Sequence, residues 1–225
     1  TTVSPTYAYE ITTPEGGEGL DGLLYACRNK LYGILNGIDD VEYNPKTDPF
    51  IEAQYDSRNV QQGKAKNKAK LQQMMGLEEN ESIFLLGMVS RMTDQKGFDL
   101  IAYVMDEMLA KEKIQFVVVG TGEDRYQDML HYFAGKYPGR VSVTIGYSES
   151  LAHQVYASCD GFLMPSLFEP CGLSQLMSLR YGTVPIVRET GGLKDTVVAY
   201  NEYTKEGTGF SFANYNAHEM LRTIQ

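Results

Sequence analysis

The residues best placed to do chemistry are Glu169 and Cys171, in the stretch Phe168-Glu-Pro-Cys-Gly-Leu-Ser-Gln-Leu176. An apolar run, Gly161-Phe-Leu-Met-Pro165, precedes them and reads as a buried strand. Leu173, Leu176 and Met177 follow, at the spacing of the inner face of a helix over 172–181. The order strand, loop, helix puts a carboxylate and a thiol where open α/β sheets bind ligands, beyond the carboxyl ends of the strands. A helix N-terminus there offers N–H groups to an anion. A thiol at such a position can have a lowered pKa, but no His or Asn partner for Cys171 is in view.

Other chemistry-bearing residues fall after other strand-like runs. Ile83–Val89 is followed by Arg91 and Lys96, two cations. Phe116–Val119 leads into Gly120-Thr121-Gly122, where absent side chains let a ligand approach the backbone. Without the third glycine of a dinucleotide fingerprint, that turn is weak evidence alone. Val141–Ile145 is followed by Gly146 and Tyr147, an aromatic plane, and Val184–Val187 by Glu189-Thr-Gly-Gly-Leu193. Taken singly, each has an ordinary structural explanation. Together, two cations suit a diphosphate, an aromatic suits a base, and a carboxylate suits sugar hydroxyls.

Positioning these residues requires alternating strands and helices. Helical faces are marked by Ile101, Val104, Met105 and Met108, then Met129, Leu130 and Phe133, then Leu151, Val155 and Tyr156. A sixth strand is expected at 209–212 and a last helix at 216–225. This rhythm implies a mostly parallel sheet covered on both faces, a Rossmann-like doubly wound α/β fold. Right-handed crossovers then gather the strand ends on one edge.

The first part of the chain is less regular. Thr1–Pro5 reads as a strand end, 13–19 as a flexible loop, 20–35 as a short helix, and 41–63 as a linker or loop. Lys64-Ala-Lys-Asn-Lys-Ala-Lys70 reads as the solvated face of a helix ending near Gly76. The net charge of −9 argues against nucleic acid or an anionic membrane as partner. No apolar run reaches the ~20 residues of a membrane span. Three cysteines suit a reducing compartment, and His131, His153 and His218 are too scattered for a metal cluster.

The motif 169–176 resembles the signature loop of bacterial glycogen synthases and plant starch synthases. So do Ser90–Gly97, Tyr181–Pro185 and Thr190–Thr196. Leu35–Asp39 resembles that family's entry into its C-terminal domain, and Thr2–Tyr7 the end of its N-terminal one. The resemblance implies a GT-B transferase. Residues 1–35 would be a remnant of the N-terminal domain and linker, and 36–225 the nucleotide-sugar-binding C-terminal domain, truncated at its end. It further implies glucose transfer from ADP-glucose to an α-1,4-glucan, with retention, in the cytoplasm, with no metal or other cofactor. Arg91 and Lys96 would hold the diphosphate and Glu169 the donor glucose. Cys171, Gly172 and Leu173 would shape the pocket, Ser174 would face phosphate, and Tyr147 would lie against adenine. A nucleophilic Glu169 would need a second acid that the loop lacks; eight residues on stands Met177, where many related transferases carry Glu. The glucan acceptor and catalytic His would belong to the N-terminal domain, so this chain alone is expected to be inactive. A UDP- or GDP-sugar transferase and a non-catalytic nucleotide-sugar module are the competing readings.

Overall fold

The computed structural model describes residues 1–225. Six parallel strands form one sheet: β1 (Phe84–Val89), β2 (Ile114–Gly120), β3 (Val141–Ile145), β4 (Gly161–Met164), β5 (Val184–Arg188) and β6 (Phe210–Phe212). Their order is β3-β2-β1-β4-β5-β6, that of the doubly wound dinucleotide-binding folds. The chain reverses its direction of travel between β1 and β4, so a crevice opens there at the carboxyl edge.

Period-two alternation explains why both faces are covered. Leu86, Met88, Phe116 and Val118 point into one apolar layer, together with α4 (Phe98–Lys111), α5 (Asp124–Lys136) and α9 (Ala217–Ile224). Leu85, Val117 and Val119 point into the other, with α3 (Val60–Met74) and α6 (Glu149–Ser158). The helix faces expected from spacing are largely found. Ile101, Val104, Met105 and Met108 are all buried, as are Leu130, Phe133, Val155 and Tyr156. Asn216 caps α9 by accepting the N–H groups of His218 and Glu219.

The irregular first part departs from expectation. Thr2 makes a single parallel bridge to Gly33, and α1 (Pro5–Glu10) begins at once, capped by Ser4 and started by proline. The helix expected over 20–35 is short, α2 (Asp21–Ala26), and buries no residue. The 41–63 stretch is no free linker. Ile51 and Tyr55 enter the second apolar layer, and Asp48 is buried against His153 and Tyr181. The lysine run is only half solvated. Lys64 and Lys68, one turn apart on α3, reach inward, Lys64 to Thr183 Oγ1 at 2.6 Å and Lys68 to Asp160 at 2.7 Å.

Candidate functional site

At the crevice between β1 and β4 lies a cavity of about 190 Å³, lined by Met88, Val89, Ser90, Arg91, Lys96, Leu163, Met164, Ser166, Glu169, Gly172, Leu173 and Ser174. Pockets for drug-sized ligands run to roughly 300–1,000 Å³, so this is one wall of a site rather than an enclosed one. Its polar groups are of two signs. Lys96 Nζ stands 2.5 Å from Glu169 Oε2, with both side chains largely buried. Ser166 Oγ donates to the same oxygen at 3.1 Å. Glu169 Oε1 has no partner in the chain. The Arg91 guanidinium, exposed, forms no hydrogen bond or ion pair. The site therefore holds an uncommitted cation, a lysine with donors to spare and a half-satisfied carboxylate.

The loop carrying Glu169 is fixed by backbone contacts on three sides. From β1's loop, Gln95 O accepts the Leu167 N–H at 2.8 Å and Gln95 Nε2 donates to Phe168 O at 3.2 Å. Gly97, at φ +77, packs so close that a Cβ would lie 2.3 Å from Pro165 O. From β5, Arg188 Nε donates to Ser166 O at 2.8 Å. From the turn before α8 (Gly191–Thr196), Gly192 N donates to Glu169 O at 3.0 Å. A Cβ on Gly191 would meet that same carbonyl at 1.9 Å. The Thr190-Gly-Gly turn is thus a clamp on the Glu169 backbone.

Of the eleven residues singled out in the sequence, Arg91, Lys96, Glu169, Gly172, Leu173 and Ser174 line the cavity. Cys171 is buried beside it, and no histidine or acid hydrogen-bonds to its thiol. Gly120, Thr121 and Gly122 lie outside the lining. Their glycines admit backbone instead, because a Cβ would stand 1.8 Å from Ser90 O at Gly120 and 2.2 Å from Met92 O at Gly122. Met92 N donates to Thr121 O at 2.9 Å, so this turn holds the segment that presents Arg91. Tyr147 is 82% exposed, off the end of edge strand β3.

Two corrections concern the helix after the loop. α7 spans Ser174–Arg180, seven residues, shorter at both ends than the 172–181 expected. Its inner face is only partly the one expected: Met177 packs against the second apolar layer, but Leu173 is 40% exposed, and the fully buried positions are Gln175 and Ser178. Gln175 is buried because its amide donates to Cys171 O and Gly172 O, both at 3.0 Å, and to Thr196 Oγ1 at 3.1 Å. Ser166, Gln175 and Arg188 are positioning residues that spacing did not reveal. Only the polar character of Gln175 at an inward helical position could have flagged any of them.

A larger cavity, about 650 Å³, lies on the far side of Leu167 and Phe168, against Tyr7, Glu10, Glu15 and Glu18. Its one cation, Arg188, is committed to backbone carbonyls, so it is the wrong sign for a diphosphate.

Comparison with known proteins agrees with this geometry. The model of the family "Glycosyl transferases group 1" matches residues 69–225. The chain belongs to the group 1 glycosyl transferases. A model described as the starch synthase catalytic domain matches residues 1–26 of this family member. It is 64% identical over 224 residues to a glycogen synthase of Lachnospira eligens, and 59% identical over 225 residues to one of Geobacillus stearothermophilus. All of the chain is covered, against 47% and 46% of those relatives, so it spans about half of their length. Among solved structures, the catalytic domain of starch synthase IV from Arabidopsis thaliana, bound to ADP and acarbose, superposes with a TM-score of 0.89. Identity is 38%, over 99% of this chain and 46% of that one. Anabaena HepE in complex with UDP, 18% identical with a TM-score of 0.62 over 92% of this chain and 51% of its own, shares the fold. The architecture is that of the Rossmann-like C-terminal half of a GT-B glycosyltransferase.

Proposed function

We propose that this chain is the donor-binding half of a glucosyltransferase that moves glucose from ADP-glucose to the non-reducing end of an α-1,4-glucan in the cytoplasm, retaining configuration and releasing ADP. One observation carries the reading: the free Arg91 and the Lys96–Glu169 pair line a single cavity at the sheet's switch point. Arg91 takes the diphosphate. Lys96 joins it, because an ammonium has three donors and Glu169 occupies one. As the glycosidic bond breaks, negative charge gathers on the leaving diphosphate, and preorganised cations stabilise it, the task a metal ion performs in other enzymes. Glu169, tied through Oε2, offers Oε1 to the glucose hydroxyls. Ser174 faces phosphate and Tyr147 supplies a plane for the base, with Thr121 near the same edge.

The glycogen synthase relatives and the ADP- and acarbose-bound starch synthase support the donor and the acceptor. The acceptor would reach the site through an N-terminal domain seated on residues 1–35, where Leu20, Leu23, Tyr25, Tyr32 and Ile34 are exposed. Calorimetry with ADP, UDP and GDP tests the donor: ADP is expected to bind most tightly, though weakly, and preference for UDP overturns it. With radiolabelled ADP-glucose and glycogen, the chain alone is expected to transfer nothing.

A further inference from the structure

Away from the cavity, on the helix α6 that covers β1 and β2, one buried histidine has a ring nitrogen with no partner. His153 on α6 is 1% exposed. Its Nδ1 lies 2.7 Å from Asp48 Oδ2. Asp48 also accepts the Tyr181 hydroxyl at 2.5 Å and the Phe50 N–H at 2.8 Å. A carboxylate that accepts on every side accepts from the imidazole too, so Nδ1 carries a proton, and in the neutral ring Nε2 keeps its lone pair. Nε2 is buried and bonds to nothing, which costs free energy unless a ligand takes the lone pair.

Two carboxylates stand beside this ring. Glu149 lies four residues before His153 on α6, on the same face. Glu42 comes from the loop ahead of Asp48. One carboxylate oxygen of each and one ring nitrogen of His153 lie within 4.8 Å of one another. Because Nδ1 belongs to Asp48, Nε2 is the nitrogen available. Like charges this close repel unless a proton or a cation stands between them. The ring cannot swing away, since Tyr43 stacks on it at 4.7 Å and Phe50 meets it edge-on at 5.1 Å.

We propose that Glu42, Glu149 and His153 bind a divalent transition-metal ion of the zinc type, with Asp48 orienting the histidine. A ligating histidine regularly donates its other N–H to a carboxylate, which fixes tautomer and ring orientation. Mixed nitrogen and oxygen donors suit zinc and its neighbours, whereas magnesium and calcium take oxygen alone. Sharing one tetrahedral ion with bonds near 2.1 Å requires donor atoms about 3.4 Å apart. Both glutamates are exposed, and binding requires their side chains to rotate to that spacing. Three protein ligands leave a fourth position for water. The ion would tie the 41–59 segment to α6, two residues past Tyr147. The three histidines are indeed scattered along the chain, but a site of this kind needs only one. The proposal is independent of the glucosyltransferase reading.

The test is titration of the whole chain with zinc, followed by calorimetry and thermal melting, and with cobalt, followed by visible absorption. One equivalent is expected to bind, raise the melting temperature and give cobalt the spectrum of a nitrogen–oxygen site. Glu42→Gln and Glu149→Gln should each weaken binding by about tenfold or more, leaving the metal-free melting temperature unchanged. Cys27→Ser, which removes the exposed thiol, should change nothing. Absence of stoichiometric binding overturns the proposal. So does binding that survives both glutamate substitutions, or that disappears with Cys27.

Discussion

Two buried carboxylates in this protein differ in how fully they are satisfied. Asp48 has both oxygens occupied, by His153, Tyr181 and the Phe50 N–H. Burial works to raise its pKa, but those hydrogen bonds hold it below the ordinary carboxylate value. Glu169 has one oxygen occupied, by Lys96 and Ser166, and the other open to a cavity. The first centre joins an irregular segment to the sheet's helices. The second is anchored by its backbone, so that its side chain need not be. A buried acid left half-satisfied costs stability, and it is spared full pairing where a ligand completes the set.

Substitution can separate the two roles. Asp48→Ala leaves the buried His153 Nδ1–H and Tyr181 hydroxyl without an acceptor, and loss of about 1–3 kcal/mol of stability for each is expected, measurable by denaturant unfolding. An effect near zero would make the Asp48 centre incidental. Lys96→Ala in the full-length protein is expected to cost about 2.7–4 kcal/mol of transition-state stabilisation, seen as a fall in kcat/KM. Unchanged kcat/KM in a folded variant would remove Lys96 from the chemistry and collapse the contrast.

A smaller effect belongs to Lys64, whose pKa burial pulls down to about 8. Its charged form is disfavoured in the folded state, so the penalty is complete below pH 8. Between there and the unfolded value near 10.5 the unfolded chain binds more protons, and stability rises with pH. The slope from this residue is at most about 1.4 kcal/mol per pH unit. Lys64→Met should flatten the pH 8–10 limb of a stability profile, and a profile identical to that of the parent would show that Lys64 does not titrate there. The smallest effect is expected at Tyr147. Exposed at the sheet edge, Tyr147→Ala should shift stability by no more than about 0.5 kcal/mol while weakening ADP binding. A large loss of stability would mean that the ring is packing, not a platform for a base.

Much of the fold was legible because strands buried on both faces must be continuously apolar, as Phe116–Val119 and Phe162–Leu163 are, and because α4 repeats apolar residues at helical spacing. The irregular stretch 41–63 was not legible. Its order comes from single contacts far apart in sequence, Asp48 with His153 and Tyr55 with Tyr181 O, which no local pattern encodes. Gln175 shows the same limit within a helix, where an amide displaced leucines from the inner face because three acceptors waited there.

The sequence by itself determined that Arg91, Lys96 and Glu169 follow strands of one parallel sheet. Residue type and strand ends are local properties, and crossover handedness gathers those ends on one edge. Tertiary structure alone decided that Glu169 meets Lys96 while Arg91 stays free. It also showed that Gly120, Gly122, Gly191 and Gly192 make room for neighbouring backbone, and that His153 keeps one nitrogen bare. Each depends on distances of a few ångströms between segments tens of residues apart, and those are fixed only when the layers pack.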